Sequence, residues 1–131
     1  MPNTDPIADM LTQIRNAILV NKNELSLPHS TIKEKVVNIL VENGFLKTAA
    51  VNDDDKFKQL LITINDLSLP ASITKVAKVS RPGKRIYVKA SQIPTIKSGR
   101  GIVVLSTSQG LMSGEQAKAK KLGGEIVLEV Y

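Results

Sequence analysis

The apolar positions of this 131-residue chain change period several times, and each change predicts an element. Ile7, Met10, Leu11, Ile14 and Ile18 recur at steps of three and four, the spacing of one helix face. Asp5 is a capping residue type ahead of them, Pro6 suits the first helical position, and Asp9 complements the positive end of the helix dipole. Arg15 and Asn16 fall off the stripe and are expected at the surface. Leu25 and Leu27 before Pro28 predict a short strand. A second helical stripe follows in Ile32, Val36, Ile39 and Leu40. Thr31 and Glu34 have capping-box spacing, and Gly44 is a natural stop.

Beyond Gly44 the period shortens. Phe45 to Val51 and Phe57 to Ile64 flank Asn52-Asp53-Asp54-Asp55-Lys56 and predict a hairpin, with Leu60, Ile62 and Ile64 on its apolar face. Asp66-Leu67-Ser68-Leu69-Pro70 is expected to be a connector. Val76 to Ser80 and Arg85 to Ala90 are expected to be strands around Arg81-Pro82-Gly83-Lys84, where Pro and then Gly suit a type II turn. Pro94 ends a further short element. Ile102 to Leu105 predicts a buried strand. Ser113 and Gln116 again have capping-box spacing and open a helix through Ala117 to Leu122, with Gly123-Gly124 as its stop. Glu125 to Tyr131 predicts a last strand. The fold class is therefore α+β, in two small mixed subdomains. Residues 1–68 form a helix–strand–helix–hairpin unit, and residues 69–131 a mostly β unit with one short helix.

Charge divides the chain at the same place. The first 66 residues carry 7 basic and 9 acidic side chains, and the remaining 65 carry 11 and 3. The whole of the +6 net charge thus comes from the second half. From Leu67 to Gly114 no acidic residue interrupts eight basic ones. Such a one-sided field attracts polyanions, and nucleic acid gains further from the counterions it releases on binding. At 42% hydrophobic and 23% charged the chain has the composition of a folded domain rather than a disordered one. With no Cys it has no disulfide and no thiolate metal site. No apolar run is long enough to span a membrane, and residues 1–9 do not have the pattern of a signal peptide, so a cytoplasmic location is expected.

The residues offer little to an enzyme. His29 is the only histidine and no second metal-binding partner stands near it, so neither a metal site nor any other cofactor is expected. Asp53-Asp54-Asp55 lacks the Gly and Glu of a calcium loop and reads as a solvated tip. Ser106-Thr107-Ser108 has no base nearby in sequence. Gly99-Arg100-Gly101 lacks the Lys of a phosphate loop. No enzymatic activity and no small-molecule substrate are expected.

Nucleic-acid binding accounts for more. Arg81, Lys84 and Arg85 cluster on one turn, from which they can reach phosphates. A single-strand binder would stack bases on several aromatic side chains, but only Tyr87 lies in the basic region. A DNA-reading helix would itself be basic, whereas here the cations fall on turns and strands. Structured RNA fits better, because short hydroxyl side chains can enter its shallow minor groove. Ser106-Thr107-Ser108-Gln109-Gly110 is such a loop, and it reads equally well as an ordinary polar strand-to-helix turn.

Four collinear segments resemble the small-subunit ribosomal protein eight family (S-eight), bacterial type. They are Asp5-Pro6-Ile7-Ala8-Asp9-Met10-Leu11-Thr12 with Ile14-Arg15-Asn16-Ala17, then Arg81 to Tyr87, Gly101 to Met112, and Gly123-Gly124-Glu125-Ile126-Val127. The stretch 49–72 matches least, and Glu129 and Tyr131 depart from the aromatic residue and the terminal Trp usual at those places. The resemblance implies a primary binder of small-subunit ribosomal RNA that recognises an irregular helix of the central domain and supports subunit assembly beside neighbouring ribosomal proteins. It implies that Ser106, Thr107 and Ser108 contact the helix core, with Tyr87 packed near them. Gly123, Gly124 and Glu125 would approach the same groove, and Thr4, Ser30 and Lys33 would lie near phosphates. Glu125 is expected to order the Ser106–Ser108 loop. Repression of the chain's own operon messenger RNA is a further property that the resemblance permits.

Two other classes compete with a structural RNA binder. An RNA-processing enzyme would need a carboxylate or His within the basic stretch, and residues 67–114 contain neither. An adaptor for an acidic protein would use the same cations, and salt screens both attractions alike.

Overall fold

The computed structural model describes residues 5–53, 58–65 and 70–131. Thr4, Asp54, Asp55, Phe57 and the connector residues 66–69 lie outside the described residues. The chain forms two compact units, Pro6–Ile73 and Thr74–Tyr131, the second joined by Asp5. The architecture is α+β.

In the first unit α1 (Pro6–Leu19) buries Ile7, Met10, Leu11 and Ile14 as the stripe predicts, while Arg15 and Asn16 are exposed. Ala17 completes the buried face and Ile18 lies half-exposed at its margin. β1 (Glu24–Pro28) precedes α2 (Thr31–Glu42). The cap of α2 is Ser30 rather than Thr31. Ser30 has the extended backbone that a cap requires, and its side chain accepts the Lys33 N–H at 3.2 Å. Glu34 is thereby one residue too late for the box, and it pairs with His29 instead, at 2.6 Å. Val37 takes the core position expected of Ile32, which is in the first turn and 45% exposed. Gly44 stops the helix in a left-handed conformation, φ 82°. The Gly44 N–H bonds the Val41 carbonyl and the Phe45 N–H bonds that of Leu40, the pattern of a Schellman motif. Phe45 and Leu46 are spent in that motif, so β2 (Thr48–Asn52) begins later than the alternation suggests. β3 (Gln59–Thr63) pairs antiparallel with both β2 and β1 and lies between them. Leu60 and Ile62 face the core beside Leu27, each adding about 1.5–3 kcal/mol by burial.

In the second unit the last strand is the centre. β4 (Val76–Lys78) and β5 (Tyr87–Val88) pair along one side of β8 (Gly124–Val130), and β6 (Ile102–Thr107) along the other. β7 (Gly110–Ser113) pairs with β6 and extends the sheet. The two predicted strands around the Arg81–Lys84 turn are therefore shorter than expected, because each is held by β8. A single Arg81–Lys84 bridge joins them. β7 has no counterpart in the sequence reading, since Leu111-Met112 is too short a run to show a period. It is preceded by the two-residue turn Ser108-Gln109, so the hydroxyl loop is a hairpin tip and not a strand-to-helix connection. Val103, Leu105, Met112 and Ile126 form one apolar face, closed by Ile93 and by Ala117 of α3 (Gly114–Ala119). α3 has the complete capping box expected of Ser113 and Gln116. It ends before Leu122, where Lys121 at φ 58° makes the left-handed stop assigned above to the two glycines. Among the described residues no helix is long and apolar enough to cross a membrane.

Candidate functional site

The basic turn stands on a stitched base. Ser80 is fully buried, and its hydroxyl accepts the Ile86 N–H at 2.9 Å and donates to the Ile86 carbonyl at 3.4 Å. Lys78 donates to the Ser80 carbonyl at 2.6 Å and pairs with Asp5 at 3.1 Å. Above this base the Arg81 and Lys84 backbones exchange hydrogen bonds of 3.0 and 2.9 Å, with Pro82 and Gly83 at the tip. Gly83 does not have the positive φ of a type II turn. Pro82 fixes only its own φ, which other turns accept equally. Arg81 and Lys84 are exposed.

From this turn the chain enters β5, and register then assembles a row. Tyr87 opposes Glu125 on one side of β8 and Ser106 opposes Glu125 on the other. Directly paired residues point to the same face of a sheet, so Tyr87, Glu125 and Ser106 share one. Tyr87 is 69% exposed. Leu105 and Ile126, one step along each strand, point into the core. Arg85 closes over Glu125, with Nη1 at 3.1 Å from the carboxylate.

At the tip the three hydroxyls divide. Thr107 Oγ1 donates to the Gly110 carbonyl at 2.9 Å and accepts the Gln109 N–H at 3.1 Å. Ser106 and Ser108 make no side-chain hydrogen bond to the described residues and are exposed. Thr107 thus braces the tip through its own hydroxyl. Glu125 pairs in register with Ser106, and its carboxylate bonds Arg85.

Gly123 and Gly124 are there because backbones meet. A Cβ on Gly123 would lie 2.5 Å from the Val88 carbonyl oxygen, and one on Gly124 would collide with the Ser106 carbonyl. These glycines let β8 start between β5 and β6, which brings Tyr87, Glu125 and Ser106 into one row. Ser30 and Lys33 belong to the first unit, where the Ser30 side chain caps α2 and Lys33 Nζ donates to the Pro28 carbonyl at 3.3 Å. Thr4 is outside the described residues.

Sequence reasoning passed over one cluster. Lys118, Lys120 and Lys121 are exposed at the end of α3 and lead into Gly123. The signal was the run Lys118-Ala119-Lys120-Lys121, which lies beyond the acid-free stretch that drew attention. Among the described residues no group of three or more His, Asp or Glu gathers as a metal site would require.

Fold and site together define a class of small α+β protein that carries exposed cations and hydroxyls on a sheet face and its turns. The family model for ribosomal protein S8 matches residues 5–131, and the chain belongs to that family. It is a family of ribosomal proteins and not of enzymes. The chain is 39% identical over 131 residues to the small ribosomal subunit protein uS8 of Ruthia magnifica subsp. Calyptogena magnifica, covering all of both chains. It is 41% identical to the protein of that name from Exiguobacterium sibiricum over 132 residues, and to that from Staphylococcus aureus strain Newman over 135, again over the full length of each.

Proposed function

We propose that this chain is a structural constituent of the small ribosomal subunit that binds the subunit's RNA directly. It recognises an irregular helix of the central domain and supports assembly of the subunit in the cytoplasm. The observation that carries the reading is the row Tyr87–Glu125–Ser106, in which Ser106, like Ser108 beyond it, has no side-chain partner among the described residues, next to a turn that exposes Arg81 and Lys84. The description shared by the full-length relatives supports the same assignment.

The two sets of groups divide the work. Arg81 and Lys84 supply attraction and contact phosphates, which positions the protein without reading sequence. Ser106 and Ser108, with backbone brought close by Gly123 and Gly124, bond 2′-hydroxyls and base edges in a widened minor groove. Tyr87 lays its ring against an unstacked base or sugar. Thr107 keeps the tip in the shape that presents its neighbours. Thr4, Ser30 and Lys33 give secondary phosphate contacts from the first part of the chain. Neighbouring small-subunit proteins are the remaining partners. The same face would take a messenger RNA segment of like shape, which would couple synthesis of the protein to free ribosomal RNA.

The test is a filter-binding titration of a central-domain small-subunit RNA fragment beside a regular duplex of equal length, over a range of salt. Preference for the fragment that persists at physiological salt is expected. Equal and salt-labile binding to both would reduce the site to a basic surface and defeat the reading.

A further inference from the structure

The two partners of the Arg85–Glu125 pair lie at different depths. The Glu125 side chain is 14% exposed and Arg85, lying on it, is 54% exposed. One guanidinium nitrogen, Nη1, spans both carboxylate oxygens, at 3.1 and 3.4 Å. A guanidinium carries five donors in one plane. Arg85 Nε and Nη2 make no hydrogen bond to the described residues. An approaching polyanion therefore meets an open guanidinium edge, and the carboxylate lies beneath it.

We propose that Glu125 is a positioning residue that acts through Arg85, holding the guanidinium over the Tyr87–Ser106 row so that its open edge receives an RNA phosphate in one orientation. The inference rests on the RNA-binding reading above. It assigns different work to two neighbouring cations. Lys84 is a mobile point charge, whereas Arg85 is a fixed fork. Ordering a long side chain before RNA arrives removes a cost worth about twofold to tenfold in affinity. Because a regular duplex does not place a phosphate at that edge in the right orientation, the gain goes to the irregular helix alone.

The experiment reads the ratio of affinities for the central-domain fragment and the regular duplex, which cancels any general change in net charge. It uses the full-length protein and the variants Glu125→Gln, Arg85→Lys, Arg85→Ala and Arg85→Ala with Glu125→Gln, each checked by circular dichroism and thermal midpoint. Each single variant is expected to lower the ratio by about threefold to tenfold. Arg85→Lys should do so with an unchanged salt slope, since its charge is kept, a result that a merely structural pair would not give. The double variant should be no worse than Arg85→Ala. Additive losses would mean that Glu125 touches RNA itself, and a full ratio in Arg85→Lys or Glu125→Gln would mean that no oriented fork is needed. Either result overturns the inference while the RNA-binding reading stands. Should Arg85→Ala fail to fold, Arg85→Lys and Glu125→Gln carry the test. A wild-type ratio near one would overturn the RNA-binding reading and this inference with it.

Discussion

The two units are made of the same parts, an antiparallel sheet with helix packed against it, yet they differ in charge and in the hydroxyls left open on the sheet. Both bond polar side chains internally, and in Pro6–Ile73 these bonds fix the start of α2 and link β1 to β3. Ser30 caps α2, His29 meets Glu34 at 2.6 Å, and the Ser26 hydroxyl donates to Gln59 at 3.2 Å. Its 7 basic and 8 acidic residues nearly cancel. In Thr74–Tyr131, 11 basic residues stand against 3 acidic, and Tyr87, Ser106 and Ser108 leave their hydroxyls without a partner among the described residues. The difference teaches that architecture alone does not set what a unit can offer a ligand. On the RNA-binding reading proposed above, the second unit offers more because it holds the excess of cations and the open hydroxyls of its sheet face.

Glycine substitutions offer the largest break in this comparison. Gly124→Ala drives a Cβ into the Ser106 carbonyl and should cost about 3 kcal/mol in urea denaturation, with loss of RNA binding. Gly44→Ala meets open space and bears only the left-handed backbone, so about 1 kcal/mol is expected. Equal costs would mean that close approach is not what the second unit needs. Ser80→Ala comes next. It leaves the part-buried Ile86 N–H without its partner, which should cost about 1–2 kcal/mol in the same assay. RNA affinity should fall too, as the basic turn loses its base.

Smaller effects sharpen the contrast. Ser30→Ala should destabilise by about 1 kcal/mol through loss of the cap, while Thr31→Ala should stay near zero. The reverse order in a thermal scan would restore Thr31 as the cap. Lys84→Ala should change stability by less than about 0.5 kcal/mol. Its effect should instead appear as a salt dependence of RNA binding shallower by about 0.9 per lost phosphate contact. A stability loss without a change in slope would make Lys84 a structural residue.

Much of the fold was legible because the signals were local. The stripe of α1, the alternation Leu60–Ile62–Ile64 and the box of α3 each lie within a few residues of chain. Errors came where two neighbours offered the same chemistry. Ser30 and Thr31 are both capping types, and only the extended backbone at Ser30 chooses between them. Gly123-Gly124 resembled a helix stop because glycine commonly is one, but Lys121 had already turned the chain. Of the site, the exposed cations and hydroxyl residues could be named from composition and from family resemblance. That Thr107 spends its hydroxyl on its own turn while Ser106 and Ser108 stay exposed could not.

By itself the sequence determined the types of helices α1, α2 and α3 and of most strands, the α+β class and the charge asymmetry, since periodicity and charge are properties of residues near one another in the chain. Tertiary structure alone decided that β8 lies between β4 and β5 on one side and β6 on the other. It alone brought Arg85 to Glu125, 40 residues away, and spent the Thr107 hydroxyl on its own turn. The reason is that strand pairing and register come from contacts between distant segments. With a side-chain period of two, a one-residue slip of β8 would have turned Glu125 inward and broken the row.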